Sequence, residues 1–320
     1  MPGMAGSVDA AGTAARIRGG GTLAADALYL WYAQAPGTGG SPPAVLRRID
    51  VATGDVLTVA TISGTGGIAT NGTDTVWVAG GADIQSISTS PPYTVTNIHS
   101  GAAATGAGNF ADGLPGTATF GDVRGLTWYG GYLWIVDTVA SVIRRMDPST
   151  GEVTTVAGMP YMTGASDGVG TVARFVSPRY IVSDNSGMLY ISDTNGQTIR
   201  ALNAATARVT TFAGVQGMAG HVDGVGTAAR IHRPRGITAD GSSIYFAEFN
   251  AHTVRQGVLA TGEVTTLVGM ADTSAGSTGG YAEGVGLAAE LSNPFSVAFH
   301  FPSNSLFVLD SGNSVIRRIQ

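Results

Sequence analysis

Internal repeats constrain the fold of this 320-residue chain more than any other feature of its sequence. One phrase is an acidic residue with Gly, followed by Gly-x-x-Ala, and its copies begin at Asp112, Asp167, Asp223 and Glu283, with a worn copy over Asp9–Ala15. A second phrase is an apolar strand pattern that ends in Arg144, Arg200, Arg255 and Arg317. A third is Val-Thr-Thr, which begins at Val153, Val209 and Val264. Because the phrases return about every 55 residues, they predict an array of similar supersecondary units.

Each unit is predicted to contain four short β-strands. In the fourth unit they are Tyr180–Asp184, Met188–Ser192, Thr198–Leu202 and Val209–Ala213, rich in β-branched and aromatic residues and separated by Gly, Asn, Asp and Ser. No helical periodicity is sustained along the chain. Four antiparallel strands in each of six units are typical of a β-propeller, whose units close into a ring of blades. We therefore predict an all-β, six-bladed β-propeller as a single domain, with blades near 1–60, 61–101, 102–158, 159–214, 215–269 and 270–320.

The best-preserved unit carries a specific set of motifs. They are Asp167-Gly168-x-Gly170, Ser177-Pro178, Leu189–Asp193, Ile199-Arg200 and Val209–Thr211. These motifs resemble an NHL repeat, and the resemblance extends over nearly the whole chain. It is strong in units three to five, good in six, partial in one and poor in two. It implies an NHL-type propeller with four-stranded antiparallel blades, in a family whose functions are broad and include lyases and RNA-binding domains.

Composition excludes several classes of function. Only 12% of the residues are charged, the net charge is −5 and all 17 basic residues are Arg, so binding of nucleic acid by a basic surface is not expected. Cys is absent, which excludes disulfides, a thiol nucleophile and thiolate metal ligands. No apolar run reaches the roughly 18 residues of a membrane span. Few charges together with many Thr, Ser and Gly favour an extracellular or cell-surface protein.

A carboxylate precedes each repeated Arg by seven positions. The pairs are Asp137/Arg144, Asp193/Arg200, Glu248/Arg255 and Asp310/Arg317. On neighbouring antiparallel strands this spacing can place a carboxylate beside a guanidinium near the connecting turn. We predict structural ion pairs, one to a blade, because an active site needs one constellation and not four identical ones. The second unit has Gly80 and Gln85 in this region, so the pair is lost there.

Arginines also recur at the start of the innermost strands. Arg124, Arg179 and Arg235 occupy equivalent positions in units three, four and five, and Phe295 takes that position in unit six. Innermost strands line the central channel of a propeller, and their ends form its mouth. Guanidinium groups that converge there suit a carboxylate, sulfate or phosphate. His232 and Arg233 lie just before Arg235 in the sequence and could join them. The alternative is that these arginines point outward and only solubilise one face.

The resemblance also implies an enzymatic alternative. Some NHL-like propellers are lyases in which His residues from several blades hold a metal, and lactonase-type propellers hold calcium with Glu, Asn and Asp. The five histidines are His99, His221, His232, His252 and His300. Only His232 and His300 are expected near the mouth, which is too few for a three-His site, and no Ser–His–Asp or paired-carboxylate motif is present. We expect no catalytic residue, no metal and no cofactor, with a metal-dependent lyase or lactonase as the alternative.

The last unit is predicted to lack its outermost strand. Unit six stops at 315–320 without a Val-Thr-Thr element, and the opening Met1–Gly6 resembles 159–164, which follow the fourth strand of unit three. Blade six would keep an open edge, which is a template for strand pairing. The predicted edge consists of Val315, Ile316, Arg317 and Ile319. Upstream residues of a longer protein or a strand from a partner would complete it; a three-stranded blade that stays open is the alternative.

Together these features predict a non-catalytic scaffold module that binds a protein or a ligand. The module is expected to be part of a longer protein, at a cell surface or in a large assembly. Its expected partners are a protein, or a neighbouring domain of the same polypeptide, and a small anionic ligand. No nucleic acid and no membrane span are expected. Because a propeller fold alone does not set the ligand, these expectations rest on the mouth and on the open edge.

Overall fold

Six antiparallel sheets surround one central channel in the structure, a computed structural model that describes residues 8–40, 43–101, 103–104, 106, 110–271 and 279–320. The prediction of an all-β, six-bladed propeller whose last blade has three strands is confirmed. The segment Met1–Gly6, used above in the argument about the open blade, lies outside the described residues. Within the described part of the chain, no helix has the length and hydropathy needed to cross a bilayer.

The first three blades have four strands each, numbered outward from the channel. Blade one contains β1 (Gly21–Ala25), β2 (Tyr29–Gln34), β3 (Val45–Asp50) and β4 (Val56–Thr61). Blade two contains β5 (Gly67–Thr70), β6 (Thr75–Gly80), β7 (Asp83–Ser88) and β8 (Val95–His99). Blade three contains β9 (Val123–Tyr129), β10 (Tyr132–Asp137), β11 (Val142–Met146) and β12 (Val153–Ala157).

Blades four and five each gain a short fifth strand, where the sequence predicted four. Blade four contains β14 (Pro178–Ser183), β15 (Met188–Asp193), β16 (Thr198–Asn203) and β17 (Arg208–Gly214), with β13 (Gly168–Val169) outside β17. Blade five contains β19 (Pro234–Ala239), β20 (Ser243–Glu248), β21 (Thr253–Val258) and β22 (Glu263–Val268), with β18 (Gly224–Val225) outside β22. The added strands are the Gly-Val of the acidic-Gly phrase, which pairs with the Val-Thr-Thr strand of its blade.

Blade six has three strands. They are β23 (Pro294–His300), β24 (Ser305–Asp310) and β25 (Val315–Ile319). The inner strands of neighbouring blades lie side by side around the ring, and β23 returns to β1. At this closure the backbone N–H of Leu23 donates to the hydroxyl of Ser296 at 3.0 Å. The ring therefore closes through its inner strands although blade six lacks a fourth.

Short 3₁₀ helices accompany the strands, at Gly12–Ala14, Thr38–Gly40, Gly170–Val172, Gly226–Ala228, Gly286–Ala288, Phe301–Ser303 and Ser311–Asn313. Four of them, beginning at Gly12, Gly170, Gly226 and Gly286, are the Gly-x-x-Ala phrase, and in the last three the alanine that follows, Ala173, Ala229 or Ala289, is buried. Two residues later an apolar side chain is buried in the seam between blades; these side chains are Phe175, Ile231 and Leu291. Burial of apolar surface in these seams holds the ring together.

Candidate functional site

Four of the six innermost strands carry a β-bulge next to their first residue. The pairing register with the second strand shifts across Arg124 in β9, Arg179 in β14, Arg235 in β19 and Phe295 in β23. The strands β1 and β5 pair without such a shift. A bulge leaves one residue outside the regular ladder and re-aims its side chain. The four positions that the sequence predicted to be equivalent thus share a β-bulge. The inner strands of blades one and two lack this bulge.

A glycine after two of these arginines allows neighbouring blades to approach closely. A Cβ atom on Gly125 would stand 2.6 Å from the carbonyl oxygen of Arg179 and 2.8 Å from Cα of Tyr180. A Cβ atom on Gly236 would stand 2.5 Å from Cα of Ser296. No side chain fits at these distances, because the obstructing atoms belong to backbone. Blade three therefore abuts blade four, and blade five abuts blade six, beside the bulges.

Arg235 lies between two aromatic rings. Its Cζ is 3.7 Å from the ring centroid of Phe249 and 4.6 Å from that of Phe295. Phe295 also meets Tyr180 edge to face, with ring centroids 6.2 Å apart. Since Tyr180 belongs to blade four and Phe295 to blade six, this contact joins the two neighbours of blade five. Cation–π contact positions the guanidinium without neutralising its charge.

Positive charges crowd this end of the channel. Burial and the charges of Arg179, Arg233 and Arg124 together lower the pKa of Arg235 to about 10. Burial also lowers the pKa of Arg179, and Arg124 and Arg233 act in the same direction. Four guanidiniums therefore share one region, which we call the arginine mouth. Sequence analysis named Arg233 as close enough in the chain to join these arginines, and the structure places it among them.

Three of these guanidiniums have no acceptor within the described ranges. The Nε atoms of Arg179, Arg233 and Arg235 are buried and have no hydrogen-bond partner. Arg124 differs, because its Nε donates to the carboxylate of Asp122 at 2.6 Å and its side chain is 42% exposed. The arginine mouth thus contains more positive charge than the neighbouring carboxylate neutralises.

His232 lies beside the arginine mouth and is held by another network. Its backbone N–H donates to Glu248 Oε1 at 2.8 Å. Burial lowers the pKa of its imidazole, Glu248 opposes this shift, and Arg233 adds to it. The structure therefore connects His232 to the mouth only through its neighbour Arg233.

His300 is at the opposite end of the channel, so the expectation that it approaches the same mouth is wrong. It is the last residue of β23, whereas Phe295 is the second. Its Nε2 lies 3.1 Å from the carbonyl oxygen of Ala27, and its Nδ1 lies 2.7 Å from the hydroxyl of Ser303. The inner strand runs along the channel, and this separates the two residues by the length of the strand.

Behind the mouth the channel is narrow. A cavity of about 30 Å³ is lined by one aliphatic side chain from each blade and by three polar residues; the lining includes Leu23, Ile68, Leu126, Ile181, Ile237 and Val297 with Thr22, Tyr180 and Ser296. Toward the far end it widens to a cavity of about 180 Å³, where Trp128, Phe299 and Phe301 join the lining. A space of 30 Å³ holds about one water molecule. A ligand at the arginine mouth would therefore stay outside this part of the channel.

The repeated arginines each contact two carboxylates. The pairs at seven-residue spacing are present, at 3.7 Å for Asp137/Arg144, 3.8 Å for Asp193/Arg200, 3.1 Å for Glu248/Arg255 and 3.4 Å for Asp310/Arg317. The acidic residue of the acidic-Gly phrase is closer in all four of these blades, at 2.7 Å for Asp112/Arg144, 2.8 Å for Asp167/Arg200, 2.8 Å for Asp223/Arg255 and 3.2 Å for Glu283/Arg317. Sequence analysis paired each Arg with one carboxylate and missed this second partner, although both motifs recur together.

In four blades a threonine of the Val-Thr-Thr strand, or of its counterpart in blade one, also binds the acidic-Gly carboxylate. Its backbone N–H and its hydroxyl both donate to the acidic-Gly carboxylate at 2.8–3.2 Å, in the pairs Thr58/Asp9, Thr155/Asp112, Thr211/Asp167 and Thr266/Asp223. In blade two Gln85 stands in place of the Arg, and its Nε2 donates to Asn97 Oδ1 at 2.7 Å. Blade six has Glu283, but none of the described strands lies outside β25 to donate to it.

The predicted edge residues Val315, Ile316, Arg317 and Ile319 form β25, which pairs with β24 on one side. No strand of the described residues pairs with its other side. These four side chains are half-buried and Arg318 is exposed, whereas the first five residues of the equivalent strand β16 are all buried.

Among the described residues, no three His, Asp or Glu side chains lie close enough together to hold a metal ion.

No family model matches the chain. The human NHL repeat-containing protein 2 is 26% identical over 231 residues, which cover 64% of this chain and 32% of that protein. The Protein SUPPRESSOR OF QUENCHING 1, chloroplastic, of Arabidopsis thaliana is 32% identical over 138 residues, which cover 41% of this chain and 13% of that protein. The chain therefore spans less than a third of the length of these relatives.

Several solved structures share the fold. A Bacteroides thetaiotaomicron protein of unknown function aligns with a TM-score of 0.74 and 19% identity, over 98% of this chain and 72% of that one. An auxiliary nutrient binding protein from the same species aligns with a TM-score of 0.71 and 19% identity, over 95% and 69%. A streptogramin B lyase aligns with a TM-score of 0.51 and 13% identity, over 94% and 92%. At these identities the likeness concerns the fold alone.

Proposed function

We propose that this chain, an NHL-repeat β-propeller, is a non-catalytic binding module that holds an anionic group of its ligand at the arginine mouth. The observation that carries the proposal is that four guanidiniums crowd one end of the channel, where Asp122 is the one carboxylate that pairs with any of them among the described residues. A buried charge is costly unless it is paired. An anionic group of a ligand at the mouth would supply the missing partner.

Electrostatics support an anionic ligand. Burial and neighbouring positive charge lower the pKa of Arg235 to about 10, so its cationic form is in unfavourable surroundings. An anion within hydrogen-bond distance would offset both the burial and the repulsion. The planar guanidinium offers paired N–H donors that match a carboxylate, sulfate or phosphate group.

The shape of the mouth supports recognition of one end of the ligand. The channel behind the arginines is too narrow to admit more than about one water molecule. The anionic end would lie against Arg235 and its aromatic neighbours Phe249 and Phe295, while the rest of the ligand remains on the face of the propeller. An acidic side chain of a protein and the acid group of a small molecule both have this chemistry.

A binding role is proposed over a catalytic one because the mouth offers cations and aromatic rings. Its neighbouring carboxylate, Asp122, is engaged by Arg124 at 2.6 Å. The fold neighbour named as an auxiliary nutrient binding protein supports a binding role. The 12% share of charged residues supports a place at a cell surface or in a large assembly, where the propeller would serve as a scaffold for a protein partner.

The test is a calorimetric titration with sodium sulfate and, separately, with sodium phosphate and sodium citrate. The wild-type protein is expected to bind one anion per chain and to melt at a higher temperature in its presence. The double variant Arg179→Gln/Arg235→Gln is expected to bind at least about tenfold more weakly, which corresponds to about 1.4 kcal/mol. Its own melting temperature should stay the same or rise, because the variant removes like charges from a crowded region.

The control is Arg16→Gln/Arg208→Gln, which removes two exposed arginines away from the mouth and gives the same net charge. It should bind like the wild type, and sodium chloride at equal ionic strength should not reproduce the effect of sulfate. If chloride acts like sulfate, or if the Arg179/Arg235 variant binds like the wild type, the proposal is wrong.

A further inference from the structure

The open edge of blade six carries half of a contact that other blades complete. In blade four the guanidinium of Arg200 is 1% exposed and lies 2.8 Å from Asp167, which also accepts two hydrogen bonds from Thr211. In blade six the guanidinium of Arg317 is 10% exposed and lies 3.2 Å from Glu283, whose side chain is 73% exposed. Glu283 accepts a hydrogen bond from the hydroxyl of its neighbour Tyr281 at 2.8 Å, and its carboxylate stands where a threonine of a fourth strand would donate.

The other blades specify the register of such a strand. In blade four Thr211 lies opposite Arg200, and Val209 lies opposite Leu202. In blade five Thr266 lies opposite Arg255 in the same way. By this register the second threonine of an added strand would lie opposite Arg317, and its valine opposite Ile319.

Two cavities flank β25 and set the sizes of the side chains that fit. On the blade-five side a cavity of about 150 Å³ is lined by Val268, Leu291 and Ile319. On the blade-one side a cavity of about 650 Å³ is lined by Ile17, Phe307 and Ile316, among others. In blade four the equivalent outer strand packs Val209 toward the preceding blade and Phe212 toward the following one. An added strand would thus place a small apolar residue on one side and a large one on the other.

We infer that the β25 edge binds an extended segment of a partner polypeptide with the pattern Val–Thr–Thr–large apolar–Ala, whose second threonine donates its backbone N–H and hydroxyl to Glu283. Strand addition supplies affinity through backbone hydrogen bonds and specificity through alternate side chains. Here the apolar side chains of the segment would enter the two cavities, and the carboxylate of Glu283 would select threonine at the second threonine position. The arginine mouth plays no part in this contact.

A second copy of the chain does not fit the edge. Pairing β25 with β25 of another copy would bring Arg317 and Arg318 against the same arginines, and like charges opposite one another destabilise a sheet. The Val-Thr-Thr strands β12, β17 and β22 of the described chain already pair within their own blades. None of these three strands is therefore available as the donor.

The experiment uses a fluorescent peptide with the sequence of Arg208–Gly214, which carries the required pattern. Fluorescence anisotropy measures its affinity for the whole chain, and hydrogen exchange locates the site. The peptide is expected to bind and to slow amide exchange in Val315–Ile319. A peptide with valine for the second threonine (Thr211→Val) is expected to bind about tenfold more weakly, the effect of one hydrogen bond of about 1.4 kcal/mol to a charged acceptor.

A double-mutant cycle tests the assigned partner. In the protein variant Glu283→Ala the two peptides should bind within about twofold of each other, because the acceptor is gone. The control Asp147→Ala removes another carboxylate that hydrogen-bonds within its own turn, and it should keep the tenfold difference. Glu283 is largely exposed, so the variant is expected to fold, and its melting curve checks this. The inference is overturned if the peptide does not bind, if the cycle shows no coupling, if protection lies outside β25, or if the protein alone dimerises through this edge.

Discussion

The carboxylate of Glu248 lies 2.6 Å from Nδ1 of His221. The equivalent carboxylate in blade four, Asp193, accepts from the backbone N–H of Val176 and is 3.8 Å from Arg200. Burial acts to raise the pKa of Glu248, but the hydrogen bond from His221 and the charge of Arg255 hold it below its usual value. Burial raises the pKa of Asp193 to about 7, because its polar partners compensate less. Two positions that are equivalent in the repeat therefore respond differently to pH.

Removal of the His221 side chain should destabilise the protein. The variant His221→Ala removes the hydrogen bond between the imidazole and the buried carboxylate of Glu248. The free energy of unfolding is expected to fall by about 1–3 kcal/mol at pH 7. Glu248 has a lowered pKa, so the stability that its ionised form contributes is present above pH 4.5 and is lost as the pH falls through its folded value. The difference between wild type and variant in urea unfolding should therefore shrink below pH 4.5. A difference that is the same at pH 7 and in acid would contradict this account.

The variant Asp193→Asn should gain stability relative to wild type as the pH rises. The folded pKa of Asp193 is about 7 and its usual value is 3.8, so the folded protein holds the extra proton between these values. The contribution of Asp193 to stability is thus greatest below pH 3.8 and falls as the pH rises toward 7. Unfolding free energies measured at pH 4.5 and 7.5 should show the change.

The control for this measurement is Asp223→Asn. Burial raises the pKa of Asp223, but hydrogen bonds from Thr266 and the charge of Arg255 outweigh it and lower the pKa overall. This variant should therefore lose stability relative to wild type at neutral pH, and the loss should shrink in acid. If the unfolding free energies of Asp193→Asn and Asp223→Asn, each relative to wild type, changed with pH in the same direction, the two carboxylates would not differ in pKa as described.

Loss of a fully enclosed arginine should cost more than loss of the arginine at the open edge. The variant Arg200→Met removes an enclosed guanidinium that pairs with Asp167 at 2.8 Å and donates to two backbone carbonyl oxygens, and breaking a buried pair costs about 3–5 kcal/mol. Arg317→Met should cost less, because Arg317 and Glu283 are more exposed than their counterparts in blade four. Chemical unfolding of both variants measures the order, and equal losses would contradict the view that the fourth strand seals the pair.

The close approach of blades three and four should not tolerate a side chain. In Gly125→Ala the new Cβ would meet backbone atoms of Arg179 and Tyr180 at less than 3 Å. Overpacking of this kind costs about 1–3 kcal/mol, and it should also weaken sulfate binding, because the shifted strand carries Arg179. Gly101→Ala is the matched control, since no atom lies within 4 Å of its Cβ position. A stable Gly125→Ala protein with normal sulfate affinity would contradict the described contact.

Chelation of divalent ions should leave the protein unchanged. The described ranges hold no group of three potential metal ligands, and the proposed function needs none. The melting temperature should be the same with and without EDTA. A fall of several degrees, restored by calcium or magnesium, would favour the metal-dependent lyase or lactonase alternative.

Much of the fold could be predicted from the repeats. The period, the strand lengths and the turn residues predicted six blades and the short sixth one, because each strand is a local pattern of apolar and β-branched residues. The extra strands β13 and β18 were missed, since a two-residue strand leaves too little pattern to read. The pairing of Arg144 with Asp112 was also missed, because the two are 32 residues apart in the chain and only the crossover between blades brings them together.

The sequence by itself determined which residue types recur and at what spacing, and therefore which positions are equivalent in successive blades. Only the tertiary structure decided which of those positions meet. Arg179, Arg233 and Arg235 converge because the bulged inner strands begin at the same mouth of the channel. His300, the last residue of its inner strand, lies at the opposite end of the channel. Spacing along the chain is a local property, whereas the distance between blades depends on closure of the whole ring. The arginine mouth and the exposed carboxylate of Glu283 at the open edge follow from that closure.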